Sequence, residues 1–314
     1  MAKHYAAIRV SRDVKVLVFG AGAIGSWLGG VLSMKNDVTL VARPAHAEAI
    51  RRDGLRITGR TTLVARPAAV TEVPREPPDL VFVTTKAYDT AAAIDALRAF
   101  QRRSTFVTLQ NGLGNAELLA AKADHVVAGT TTHGVTFVKP GEVAHAGVGD
   151  TLVGAFAGAT RADAGRIADL LTDAGIATRA VDDPRPELWA KAVVNAAINP
   201  LTAVLRRPNG ELVRHPDLRG LLDRLAREGA TAARAAGIEL DPDGIAAKAA
   251  EVATRTAENR SSMLQDVERG RPTEVEAITG ALLHAAGGRG LALPYNDRVY
   301  ALVRGLERSR NVGS

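Results

Sequence analysis

The string Gly20-Ala21-Gly22-Ala23-Ile24-Gly25 constrains this chain more than any other feature in it. It follows a nearly continuous apolar run, VKVLVF over residues 14–19, and opens a stretch of helical composition that reaches residue 34. An apolar run of that length reads as a strand buried on both faces, which belongs in a parallel sheet with helical crossovers. In that setting G-x-G-x-x-G reads as a turn that cradles phosphate. Gly20 permits the tight turn, Gly22 lets a pyrophosphate approach the backbone, and Gly25 lets the helix pack closely on the strand. The helix N-terminus adds free N–H groups and the positive end of its dipole. All six residues, Ala21, Ala23 and Ile24 included, are candidate cofactor contacts; a glycine-rich turn without a ligand is the alternative.

The pattern continues as a strand–helix alternation. Residues 37–42, 80–84 and 105–109 read as strands, and residues 90–100 as an Ala-rich helix. Three closely spaced β-leaning runs, 126–138, 142–145 and 151–155, read as an antiparallel addition to the same sheet. A helix over 161–174 and a last strand over 177–181 follow. Such alternation implies right-handed βαβ units in a doubly wound sheet. Then comes Asp182-Asp183-Pro184-Arg185-Pro186, stiff and polar, the composition of a domain boundary. Beyond it no strand pattern is found. Pro216 and Pro242 suit first helical positions, Asp241 an N-cap, Gly287-Gly288 a helix end and Pro294 the start of the last helix. The expected organisation is an irregular arm over 1–13, a Rossmann domain over 14–181 and an all-helical domain over 182–314. A chain of 314 residues is long enough for two cores.

Composition removes several function classes. There is no cysteine, which excludes disulfides, thiol catalysis and Cys-based metal sites. The 7 His residues show no metal-ligand spacing. The 40 basic and 34 acidic residues are interspersed, without basic runs or interleaved aromatics, so a net charge of +6 points to anionic small molecules rather than nucleic acid. No signal peptide is evident, and no apolar stretch is read as long enough to span a bilayer, so a cytoplasmic location is expected by default.

The end of the second strand bears on the cofactor. NAD-specific folds carry an acid there to accept from the ribose 2′-hydroxyl. Here DVTLVA ends in Arg43, with no acid before Glu48. A guanidinium binds a 2′-phosphate through charge-assisted bonds and a carboxylate repels it, so NADP is expected, with a surface arginine as the alternative. Lys86 and Gln110-Asn111-Gly112 follow the next strands at the sheet edge where ligands bind in open α/β folds. Each is also an ordinary polar loop residue when taken alone.

The second chemical signal is a polar stripe on an apolar helix. In LWAKAVVNAAINP, residues 188–200, Lys191, Asn195 and Asn199 recur at intervals of four, and every other position up to 198 is apolar. They share one face of a helix that is otherwise hydrophobic all round, the pattern of a buried helix. Burying an ammonium and two amides is costly unless they are paired or line a wet cavity, so the stripe reads as a pocket wall with Lys191 as its ionisable group. A lysine there can protonate an alkoxide formed by hydride addition to a ketone, and as a cation it stabilises the developing charge. A second cluster, RSSMLQDVERGRPTE over residues 260–274, contains Glu274, for which helix capping after Thr273 is the bland role.

Together these residues resemble the ketopantoate reductase family. The resemblance covers the chain after residue 13. It rests on the Gly20–Gly25 loop, Gln110-Asn111-Gly112, Gly129-Thr130-Thr131-Thr132-His133, the run from Lys191 to Ala203, Pro208-Asn209-Gly210, and Ser261 to Asp266 with Arg271 to Glu274. It implies a Rossmann domain followed by a helical domain like that of 6-phosphogluconate dehydrogenase, with the active site in the cleft between them. It implies Lys191 as general acid and substrate contact, with Glu274 also at the reaction centre. Asn111, Asn195, Asn199, Asn209 and Ser262 match substrate-binding positions, Ser262 at the carboxylate. Lys86, Asn111, Val135 and Glu274 match positions around the cofactor, and Arg43 matches the reader of the 2′-phosphate. Thr279 departs from the asparagine of many relatives. The implied reaction is NADPH-dependent reduction of 2-dehydropantoate to (R)-pantoate. Reduction of another 2-oxo acid is an alternative, and so is an NADP-binding regulator, which would have no use for the intact lysine stripe. The expected partner is a small 2-oxo acid, with no nucleic acid and no membrane; a homodimer is left open.

Overall fold

Val16, Leu17 and Val18 are each at most 2% exposed, as a strand covered on both faces must be. They lie in β1 (Lys15–Phe19) of a computed structural model that describes residues 14–310. The arm expected over 1–13 lies outside the described residues. The chain forms two compact units. The first takes the chain up to Thr85, Asp89–Gln110 and Leu118–Asp182; the second takes Lys86–Tyr88, Asn111–Glu117 and everything from Asp183 on.

The strands of the first unit are, after β1, β2 (Asp37–Val41), β3 (Leu55–Gly59), β4 (Leu63–Ala65), β5 (Ala68–Val70), β6 (Leu80–Val83), β7 (Thr105–Thr108), β8 (His125–Thr131), β9 (Gly134–Lys139), β10 (Glu142–Gly147), β11 (Thr151–Ala157) and β12 (Thr178–Val181). Eight form one sheet in the order β12-β11-β8-β7-β6-β1-β2-β5. From β5 to β8 every pairing is parallel; β11 runs antiparallel to β8, and β12 parallel to β11. Strand order reverses between β1 and β6, the switch point at which doubly wound sheets bind ligands. The helices of this part of the chain are α1 (Ala23–Leu32), α2 (Pro44–Asp53), α3 (Thr90–Ala96), α4 (Asn115–Ala120) and α5 (Arg161–Asp173).

The expected antiparallel addition to the sheet needs correction. Only β8 and β11 join it. The run read as 126–138 breaks at Thr132-His133, and its second half, β9, pairs with β10 in a separate sheet of order β4-β3-β10-β9. Alternation predicts extended backbone but says nothing about which strand lies alongside. Three strands of three to five residues, β3, β4 and β5, are absent from the sequence reading, because so few alternations give no period to detect. The small sheet is fixed to α1 by aromatic packing. The Trp27 ring lies 4.6 Å from that of His133 and 4.9 Å from that of His145, and the two imidazoles share a 2.9 Å Nδ1···Nε2 hydrogen bond.

The second unit contains α6 (Arg185–Leu205), α7 (Glu211–Arg214), α8 (Pro216–Ala235), α9 (Pro242–Arg255), α10 (Ser262–Glu268), a π-helical turn (Glu276–Gly280), α11 (Ala281–Gly287) and α12 (Pro294–Arg310), with no strand among its described residues. The start signals hold. Pro216 and Pro242 are first-turn residues, and the Asp241 carboxylate accepts from the backbone N–H groups of Asp243 and Gly244. Helix α6 forms the axis, with α8, α9, α10 and α12 packed around it. It passes through Pro200 and ends at Arg206, whose φ of 52° is left-handed. By length and apolarity α6 would qualify as a membrane span, contrary to the sequence reading, but 67% of its most apolar window is buried within the protein. A core helix solvated by other helices meets the same compositional demand as one solvated by lipid.

Candidate active site

The glycine loop has the geometry its sequence demands. Gly20 has φ of 105°, and a Cβ there would fall 2.7 Å from the Thr85 backbone nitrogen. The Gly20 and Ala21 N–H groups both donate to the Val41 carbonyl, and the Thr84 hydroxyl donates to the Gly20 carbonyl at 2.9 Å. A Cβ on Gly25 would lie 2.3 Å from the Gly20 oxygen and 2.4 Å from Thr84 Oγ1, so this glycine exists for helix–strand packing. Gly22 differs. It is the N-cap of α1, and a Cβ on it would meet no protein atom closer than 4.0 Å. The space beside Gly22 is therefore not filled by the protein, while the first N–H groups of α1 lack intrahelical acceptors. That combination fits a dinucleotide pyrophosphate. Arg43 is exposed and N-caps α2 directly after the β2 edge, where its charge adds to the helix dipole. Val135 lies on β9, partly buried against the core of this unit.

The ionisable groups gather in the helical unit. Lys86 donates to Asp266 Oδ2 at 2.6 Å and to Glu274 Oε2 at 3.2 Å. The other oxygen of Glu274 accepts from the Ala87 backbone N–H at 3.1 Å. Glu274 is therefore not the exposed first-turn acid of the capping alternative. Both its carboxylate and that of Asp266 are buried, at 6% and 8% side-chain exposure. Burial pulls the Lys86 ammonium down, and the Glu274 and Asp266 carboxylates more than offset it, so its pKa is raised. Lys191 goes the other way. Burial dominates and lowers it from 10.5 to about 8, against the opposing pull of Glu274.

The stripe on α6 is graded in burial. Between Lys191 and Pro200 only Lys191 and Asn195 are partly exposed; Asn199 and the apolar positions are buried. Asn209 is buried, and its Nδ2 donates at 2.8 Å to Thr256 Oγ1, whose own proton goes to the Val252 carbonyl. That chain of donors fixes the amide, and its Oδ1 has no hydrogen-bond partner in the protein. Ser262, the first residue of α10, is exposed, because the preceding Ser261 takes the capping role by accepting from the Leu264 N–H at 3.1 Å. Asn111 is partly buried and its carbonyl accepts from Asn115. The next residue is held close: a Cβ on Gly112, φ 82°, would lie 2.6 Å from the Ala277 carbonyl oxygen of the π-helical turn. Lys86, Asn111, Lys191, Asn195, Asn199, Asn209, Ser262 and Glu274 thus belong to one unit, and Gly20–Gly25, Arg43 and Val135 to the other. Asp266 is the residue that sequence reasoning passed over. Its signal was present: it stands four residues after Ser262 and so shares a helical face with it.

Comparisons with known proteins identify the family. The family model for ketopantoate reductase PanE/ApbA matches residues 16–158, and the model for ketopantoate reductase PanE/ApbA C terminal matches residues 183–307. The chain is 41% identical to the 2-dehydropantoate 2-reductase of Archaeoglobus fulgidus over 297 residues, 94% of this chain and 99% of that protein. It is 39% identical to that of Halobacterium salinarum over 302 residues, again 94% and 99%. Among solved structures, D-mandelate dehydrogenase with NADH and anilino(oxo)acetate superposes with a TM-score of 0.90 at 26% identity, over 95% of this chain and 99% of that one. A PanE/ApbA family ketopantoate reductase from Ralstonia eutropha JMP134 superposes with a TM-score of 0.87 at 30% identity, over the same shares. The chain belongs to the ketopantoate reductase family and is an NAD(P)-dependent oxidoreductase of the type that reduces 2-oxo acids.

Proposed function

We propose that the protein reduces 2-dehydropantoate to (R)-pantoate, with NADPH as the hydride source. The observation that carries this reading is a lysine on the polar stripe of α6, lowered to about 8 by burial and opposed by the Glu274 carboxylate. Such a group is protonated near neutrality yet gives up its proton readily, as a general acid should. Lys191 protonates the ketone oxygen as the alkoxide forms, and Glu274 keeps the ammonium charged until then. Bound NADPH supplies the hydride. The glycine loop and the α1 N-terminus hold the pyrophosphate, and Arg43 pairs with the 2′-phosphate. Lys86 and Asn111 orient the nicotinamide end. Ser262 donates to the substrate carboxylate. Asn195, Asn199 and Asn209 take the terminal hydroxyl. Asn209 donates one N–H to Thr256 and leaves its Oδ1 without a partner in the protein, so it offers that hydroxyl an acceptor.

The 41% identity to a curated 2-dehydropantoate 2-reductase over almost the whole chain supports the substrate assignment. A broader 2-oxo acid reductase is a second reading, favoured by the likeness to D-mandelate dehydrogenase, whose ternary structure holds NADH and anilino(oxo)acetate. NADPH consumption measured against a panel of 2-oxo acids separates them. The first reading expects the highest kcat/KM for 2-dehydropantoate; a higher value for an aromatic 2-oxo acid replaces it with the second.

A further inference from the structure

Among the described residues, Asp266 and Glu274 are the only carboxylate side chains buried in the protein, and both contact the same lysine. Buried carboxylates are rare unless paired, so two on one cation call for an explanation. A single ammonium needs one counter-ion. The second carboxylate is in surplus for Lys86, yet it is not in surplus for the unit, because Lys191 lies on α6 and adds another positive charge. The group then holds two ammonium and two carboxylate groups and is neutral when Lys191 is protonated.

We propose that Asp266 is a positioning residue for the proton donor: it serves as the counter-ion of Lys86, and thereby leaves the charge of Glu274 to act on Lys191. This rests on the reading of Lys191 as general acid. Geometry divides the two acids in this way. The shorter contact of Lys86, 2.6 Å, is to Asp266, and the longer, 3.2 Å, to Glu274. Asp266 is held in place from both ends of α10. Ser261 caps the helix and also accepts from Thr202 Oγ1 of α6 at 2.7 Å, and the Asp266 carbonyl accepts from the Arg271 N–H. Of the other acids on elements packed around α6, Asp217 of α8 and Asp297 of α12 are exposed, and those nearer the core are engaged elsewhere. Glu228 of α8 accepts from the N–H groups of Tyr295 and Asn296, Asp223 pairs with Arg219, and Asp243 of α9 with Arg227. Glu276 of the π-helical turn takes the Tyr300 hydroxyl and Arg304, and Glu307 of α12 takes Thr273 and Arg304. Without Asp266, Lys86 must draw on Glu274 alone, and Lys191 keeps less of the Glu274 charge.

The test is the basic limb of kcat/KM for ketone reduction between pH 6 and 10. Asp266→Asn should move that limb to lower pH by roughly half to one unit, since a full charge partner at short range shifts a pKa by about 1–3 and this effect is indirect. Asp266→Glu should keep the wild-type limb. Lys86→Met, which removes the competitor for Glu274, should move the limb up, and Lys86→Met/Asp266→Asn should show the same raised limb, because Asp266 acts only through Lys86. A merely structural role for Asp266 lowers kcat or Tm and leaves the limb in place, and that result overturns the proposal. If Asp266→Asn alone does not fold, the two Lys86→Met proteins decide: a limb that does not rise, or a lower limb in the double variant, overturns the proposal. Lys191→Arg is the separate control. Its guanidinium does not titrate in this range, so a limb that persists near pH 8 in that variant refutes the general-acid reading, not the pairing of Asp266.

Discussion

Reduction and oxidation by this enzyme should depend on pH in opposite senses through the same pKa. A lysine at the surface keeps its proton to about pH 10.4, whereas burial lowers Lys191 to about 8. One proton then governs the rate. At pH 7 about nine-tenths of the enzyme carries the protonated donor and at pH 9 about one-tenth, so reduction should fall roughly tenfold per unit above pH 8. Oxidation of the hydroxy acid runs through the same transition state in reverse and needs the neutral amine, so its rate should rise over the same interval. Lys191→Ala should lower kcat about 10²–10⁴-fold, the range for loss of a general acid, and flatten both profiles. Steady-state rates at saturating cofactor, followed by absorbance of the reduced nicotinamide in both directions, provide the assay. A reduction profile that stays level to pH 9.5, or a Lys191→Ala enzyme with near wild-type turnover, would show that the lysine is structural and that the stripe on α6 was misread.

The glycine loop gives a contrast within one motif. Gly25→Ala places a methyl against backbone at 2.3 Å and should abolish the folded first unit, while Gly22→Ala, with no protein atom within 4.0 Å, should keep the wild-type Tm and weaken cofactor binding; thermal melts and cofactor titration of both variants check this. Arg43→Ala should lower the NADPH-over-NADH ratio of kcat/KM by about tenfold or more, the worth of one charge-assisted bond; an unchanged ratio removes Arg43 from cofactor choice. If the asparagines recognise the hydroxyl, 2-oxoisovalerate, which lacks it, should be reduced at least ~100-fold less efficiently than 2-dehydropantoate, because unmet buried amides cost more than a lost methyl. Lys191→Met should stabilise the fold at pH 7. The folded-state pKa of Lys191 is depressed to about 8 below its ordinary 10.5, so the unfolded chain holds that proton more tightly and wild-type stability rises with pH across this window. Urea denaturation at pH 7 and pH 10 should show the variant's advantage shrinking; an equal difference at both pH values contradicts the sign.

Local sequence determined what depends on neighbours along the chain. The order of β1, glycine loop and α1 follows from an apolar run, three glycines at fixed spacing and a helical stretch, each read within a few residues. So do the helix starts at Pro216 and Pro242 and the cap at Asp241. The stripe on α6 was legible because a period of four against an apolar background is visible without knowing what packs against it. Sheet membership was not legible in this way. The two halves of the 126–138 run have similar compositions, yet β8 pairs with β7 and β11 while β9 pairs with β10. Partner choice depends on surfaces distant in sequence. The charge group is the clearest case. Lys86 and Asp266 are 180 residues apart, and nothing in either local string joins them. Asp266 becomes a buried counter-ion only once α10 is packed on α6. The value of about 8 for Lys191 also required the fold, because a pKa is set by desolvation and by charges brought near in space, and neither is a property of the chain order.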